Sequence, residues 1–135
     1  MVEPSGVQAD FILECLADNY FNRNTAFSQP YYSPHPLANL RRGEVKAFLK
    51  EFYSNMSSLA DRETYTFWEH YFHASPHKTH EEGWFLMRCR WMLYLEEGAT
   101  LNILPGVPRA WLADGLQLVT LARPGSPLTL HGRVG

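Results

Sequence analysis

The chain has 135 residues, of which 45% are apolar in the wide sense, 14% aromatic and 19% charged, a balance that fits one soluble globular domain and excludes collagen-like or disordered chains. Twelve Lys and Arg against fourteen Asp and Glu give a formal charge of −2 with no long run of either sign. Nothing electrostatic therefore speaks for a nucleic-acid backbone or an anionic membrane as partner.

From the N-terminus, Met1 to Asp10 has no basic region and the apolar run Phe11 to Leu16 is short and broken by Glu14, so neither a signal peptide nor a membrane span is expected in this chain and no compartment is assigned. Phe11, Ile12, Cys15, Leu16 and Tyr20 recur at helical spacing and predict a helix from about Val7 to Phe21. Asn22 to Pro36 is expected to be a long loop, since Pro30, Pro34 and Pro36 each push the preceding residue toward extended geometry. After Gly43 an amphipathic helix is expected from Glu44 to Ser58. Val45, Phe48, Leu49, Phe52 and Met56 form its apolar stripe, with Lys46, Lys50 and Ser54 outward.

Thr64 to Phe67 alternates as a short extended run, followed by a loop through Ser75-Pro76. Glu81 and Glu82 suit the first turn of a helix running to about Leu95, where carboxylates favour the positive end of the dipole. The body of that helix, Trp84 to Tyr94, is apolar on nearly every face and is expected to be buried all round, with Arg88 and Arg90 in need of partners. Strands are expected over Thr100–Leu104, Leu116–Ala122 and Leu128–Val134, with turns at Pro105-Gly106 and Asp114-Gly115. The reading is thus mainly α followed by β, dividing near residue 98: helices over 1–98, then a linker and the start of a β-domain over 99–135. The two other helices cannot surround the Trp91 helix, and three short strands leave open edges, so the chain is expected to be part of something longer.

Three stretches carry a resemblance: Thr64-Tyr65-Thr66-Phe67-Trp68-Glu69, Ser75-Pro76-His77-Lys78-Thr79-His80-Glu81-Glu82-Gly83-Trp84, and Asn102-Ile103-Leu104-Pro105-Gly106-Val107-Pro108-Arg109-Ala110-Trp111-Leu112-Ala113-Asp114-Gly115. In order and spacing they resemble the end of the catalytic domain of six-hairpin, (α/α)6-toroid glycoside hydrolases of the α-L-rhamnosidase-like group. The resemblance spans roughly residues 30 to 135. It implies that the chain holds the last helices of a toroid and the first strands of a C-terminal β-sandwich, joined at the Leu-Pro-Gly-Val-Pro-Arg-Ala-Trp-Leu segment. It also implies a carbohydrate substrate, no cofactor, and the remainder of the parent polypeptide as structural partner.

Glu69 matches a catalytic carboxylate of that pattern, where it would be the general base that activates water. An inverting glycosidase needs a protonated carboxyl for the leaving oxygen and a carboxylate about 6.5 to 9.5 Å away for the water. Trp68, Phe67, Tyr71 and Phe72 would crowd Glu69 and raise its pKa. Trp68, His70, His77 and His80 are the candidate substrate-binding residues. His77-Lys78-Thr79-His80 departs from the family, which tends to carry an Asn-His pair there, so the sugar is left open. The plainer alternative for Glu69 is a loop carboxylate paired with Arg88, Arg90 or a neighbouring His. Glu63 is too near in sequence to be the general acid, and Glu81 and Glu82 read as helix-start residues, so the acid is expected upstream of this chain.

Other chemistries have less support. His70, His73, His77 and His80 are spaced H-x2-H-x3-H-x2-H, but Pro76 breaks any single helix that would align them and no cysteine lies near, so no metal is expected. Cys15 and Cys89 lie in apolar helical stretches and read as unbridged, small buried hydrophobes, with Cys89 an inert thiol, and no nucleophile elbow or phosphate loop is present. Trp84, Trp91 and Trp111 read as core. The competing function is a non-catalytic helical module that binds a glycan or a protein.

Overall fold

The computed structural model describes residues 5–18, 34–70 and 73–113. In chain order these form α1 (Val7–Ala17), α2 (His35–Arg41), α3 (Val45–Leu59), β1 (Ala60–Asp61), β2 (Thr66–Phe67), α4 (Thr79–Leu93), β3 (Tyr94–Glu97), β4 (Thr100–Ile103) and α5 (Arg109–Ala113). The fold is mainly helical with two small antiparallel strand pairs, β1 with β2 and β3 with β4. The strands expected over Leu116–Ala122 and Leu128–Val134, the Asp114-Gly115 turn and most of the Asn22–Pro36 loop lie outside the described residues.

Helix α2 was not expected, because Pro34 and Pro36 read as loop markers. Both sit where a helix tolerates proline: Pro34 caps the N-terminus and Pro36 lies in the first turn, where backbone N–H groups lack partners anyway. The helix ends at Gly43, whose φ of 75° favours glycine. Gly43 N–H donates to Leu40 C=O at 3.0 Å and Glu44 N–H to Asn39 C=O at 2.9 Å, the paired bonds of a Schellman stop.

Helix α3 follows its expected stripe at Phe48 and Phe52 and runs one residue further than expected, to a buried Leu59; Met56 is exposed, while Glu51 and Asn55 are buried. Two other expectations fail. In α1 the stripe residues Phe11 (72%), Ile12 and Cys15 are exposed, and Val7 is too. In α4 Leu86 is 65% exposed and Met87 is exposed too, so the helix is not buried on every side. Tyr94 and Leu95, expected in that helix, instead start β3, because Gly98 (φ 60°) opens a two-residue turn that pairs Tyr94 with Ile103 and Glu97 with Thr100. Thr64 and Tyr65 belong to the turn between β1 and β2 rather than to a strand. Trp111 is exposed, and Trp84 and Trp91 are half-buried.

The main core joins Leu40 of α2, Phe48 and Phe52 of α3, Met92 of α4, Leu95 of β3 and Val107. The segment after β4 closes it. Leu104 and Gly106 N–H groups donate to Leu93 and Met92 C=O at 2.6 and 3.1 Å, satisfying carbonyls that the end of α4 leaves without helical partners. A Cβ built on Gly106 would lie 2.8 Å from the Phe48 ring and 3.1 Å from the Met92 backbone, so glycine lets this segment seat against both helices. Phe52 stacks on Phe85 (5.5 Å), and Phe85 packs on Phe67 (4.8 Å), which leads from this core to a smaller one at Leu59 and Phe67.

Both arginines of α4 acquire surroundings that suit a cation. Arg90 bonds the Tyr94 hydroxyl at 2.8 Å, lies over its ring at 4.8 Å and meets Glu96 at 3.1 Å. Arg88 is fully buried, in electrostatic reach of Glu51 and His35. Burial pushes the Glu51 carboxyl up to about 7, against the charge of Arg88 and a 3.2 Å hydrogen bond from Asn39.

Two measurements check this interior. In urea unfolding, Gly106→Ala should destabilise by about 1–3 kcal/mol through overpacking. Gly83→Ala, whose new Cβ meets nothing within 4 Å on α4, should gain about 0.5–1 kcal/mol. Equal effects would contradict the packing. For Glu51, an ordinary value of 4.5 rising to about 7 means the native state holds the proton more tightly, so stability falls as pH rises through that window. Relative to Glu51→Gln, the wild type should lose on the order of 3 kcal/mol between those pH values; parallel stability curves would contradict it.

Candidate functional site

The loop between β2 and α4 gathers the sequence-predicted residues, and its geometry starts with its backbone. Trp68 N–H donates to Leu59 C=O at 2.9 Å, and Lys78 N–H donates to Phe67 C=O at 3.2 Å, closing the neck of the loop. Within it, Glu69 N–H donates to Ser75 C=O at 3.0 Å. His73 and His77 adopt φ of 55° and 58°, left-handed conformations that are costly for residues with a Cβ and that occur at constrained loops. Lys78 also caps α4, its carbonyl accepting from the N–H groups of Glu81 (3.0 Å) and Glu82 (3.1 Å).

Glu69 is 23% exposed and its Oε2 lies 2.9 Å from Lys78 Nζ, while Oε1 lies 3.9 Å from His70 Nε2. Its partners are thus Lys78 and His70, neither Arg88 nor Arg90. The expectation that aromatic crowding raises its pKa is corrected: the hydrogen bond from Lys78 holds the carboxyl below the ordinary glutamate range, desolvation opposing and the charges of Lys78, His70 and His80 adding to the effect. Trp68 stacks on His73, ring centres 4.8 Å apart and planes 13° from parallel. Tyr71 and Phe72 lie outside the described residues.

Glu81 is the residue the sequence reading passed over. It does sit in the first turn of α4, but its side chain is fully buried, with Oε1 3.2 Å from His80 Nε2, within ion-pair distance, and neither carboxyl oxygen in a hydrogen bond among the described residues. Desolvation pushes its pKa up; the charge of His80 opposes and that of Glu69 reinforces. A helical register did mark it: Glu81, Arg88 and Met92 share the one face of α4 that is fully buried. The loop thus brings Glu69, His70, Lys78, His80 and Glu81 into one electrostatic cluster, and leaves His77 exposed at its rim.

Chemically the cluster offers one ionised, partly exposed carboxylate beside one buried carboxyl favoured in its neutral form, the opposed pKa displacements typical of acid and base work. Among the described residues no group of three His, Cys, Asp or Glu is arranged to hold a metal ion. No described helix is long and apolar enough to cross a membrane. No protein-family description, curated protein or solved structure matches the chain.

Neither cysteine is disulfide-bonded; Cys15 is exposed, and burial raises the Cys89 thiol pKa, so Cys89 is no nucleophile. Iodoacetamide at neutral pH should alkylate Cys15 well before Cys89, as read by intact mass and peptide mapping. Faster labelling of Cys89 would contradict its burial.

Proposed function

We propose that this chain is the C-terminal part of a toroidal, α-L-rhamnosidase-like glycoside hydrolase, running into its β-sandwich, and that Glu69 is the general base of an inverting reaction. The observation that carries the reading is the state of Glu69: a carboxylate held ionised by Lys78, yet partly exposed, on a loop closed at its neck and flanked by Trp68, His70 and His80. In the reaction Glu69 takes a proton from water, the water oxygen bonds to the anomeric carbon from the face opposite the leaving group, and the glycosidic C–O bond breaks. A separate carboxylic acid gives its proton to the leaving oxygen.

Glu81 is not that acid. Its side chain is fully buried and cannot touch a sugar oxygen, which supports an acid supplied by another part of the parent polypeptide. Trp68 gives the site an aromatic face of the kind that stacks on a pyranose, and His70 and His80 supply hydrogen-bonding groups beside the base.

The outward apolar side chains of α1 and α4, above all Val7, Phe11 and Leu86, support the piece-of-a-ring reading, since a helix in a closed toroid has neighbours that would cover them. The segment from Leu104 to Val107 supports it too: it turns the chain off the end of the last long helix, where the family-like joint would lead into the sandwich.

Glu69→Gln in the polypeptide that carries the complete toroid should reduce turnover of an aryl α-L-rhamnoside by about 10²–10⁴-fold while leaving the far-UV circular dichroism unchanged. Near-normal turnover would remove Glu69 from the base role.

A further inference from the structure

Lys78 has no part in the reading above beyond its charge, yet its backbone is bonded on both sides, the N–H to Phe67 and the C=O to the first turn of α4. Glu69 is fixed by the bond to Ser75. Two anchored backbones thus deliver an ammonium and a carboxylate across the neck of the loop to 2.9 Å, with Lys78 31% and Glu69 23% exposed.

We propose that Lys78 is a positioning residue for Glu69: it engages Oε2 and so presents Oε1, on the His70 side, as the oxygen that accepts the proton from water. This rests on the reading of Glu69 as the base. The charged and titratable groups that face Glu69 are Lys78, His70, His80 and Glu81. His70 Nε2 at 3.9 Å from Oε1 is too far for a hydrogen bond. His80 Nε2 lies 3.2 Å from Glu81 Oε1. Of the two ion-pair distances to this carboxylate, 2.9 Å from Lys78 and 3.9 Å from His70, that of Lys78 is the shorter.

An exposed ion pair adds little to fold stability, so the contact is expected to act on charge and orientation rather than on folding. Lysine and arginine also differ in shape but not in sign, which separates the two effects.

The test is a carbon-detected NMR titration of the Glu69 side-chain carboxyl in this chain, its signal assigned by its loss in Glu69→Gln. Lys78→Met should move the Glu69 midpoint upward from its wild-type position, and Lys78→Arg should leave it low. An unmoved midpoint in Lys78→Met, or an equal rise in both variants, overturns the proposal. If Lys78→Met does not fold, the wild type titrated at about 1 M salt takes its place: screening of a pair this exposed should raise the midpoint, and no change overturns the proposal. None of this needs a substrate. A shifted titration with undiminished Glu69→Gln turnover in the polypeptide carrying the complete toroid overturns the base reading and the proposal that rests on it, and an unshifted one with lost turnover overturns the role of Lys78 alone.

Discussion

The close seating of Gly106 on Met92 and Phe48 is the contact on which the rest depends. With no Cβ at Gly106 the segment after β4 descends onto the end of α4, satisfies two of its last carbonyls and brings Val107 into the core beside Phe48 and Met92. That fixes α4 against α3. The fixed pair then aligns Phe52, Phe85 and Phe67, and Phe67 is the residue whose carbonyl receives Lys78 at the neck of the candidate loop. A glycine near the C-terminal end of the described chain and a carboxylate in a distant loop are linked by packed rings and backbone bonds.

Three glutamates show how the same forces reach different outcomes. At Glu51 and Glu81 desolvation is the largest influence and outweighs the nearby cation, so both carboxyls favour their neutral form. At Glu69 water still reaches the side chain, the desolvation penalty is smaller than the hydrogen bond from Lys78, and the ionised form is favoured. The cation beside Glu51 is a buried guanidinium, which cannot give up its proton and must keep polar company. The pair of buried groups belongs to the interior that holds α2, α3 and α4 together; the Glu69 cluster belongs to the loop.

Much of the helical framework was legible because periodicity reports burial. Helix α3, the body of α4 and the strand at Thr100 all follow from patterns within the chain. The failures also have physical causes. Helix α2 was hidden because proline reads as a breaker although it is tolerated in a first turn. The outward face of α4 could not be read because a sequence apolar all round does not say which neighbours are present. At the site, Glu69, Trp68 and His80 were found through a resemblance, whereas Lys78 and the burial of Glu81 depend on where a loop closes, which no period encodes. The direction of the Glu69 pKa was misread for the same reason: rings adjacent in sequence were visible, and the ammonium nine residues on was not.

The proposed reading assigns Glu69 to water, and that assignment has a stereochemical signature. A base that activates water on the face opposite the leaving group yields the inverted anomer, whereas a carboxylate acting as nucleophile yields the retained one. Proton NMR of an aryl α-L-rhamnoside during the first minutes of hydrolysis by the polypeptide carrying the complete toroid reads the anomer before mutarotation mixes it. The account predicts that β-L-rhamnose forms first. Release of the α-anomer first, or no hydrolysis at all, would contradict it.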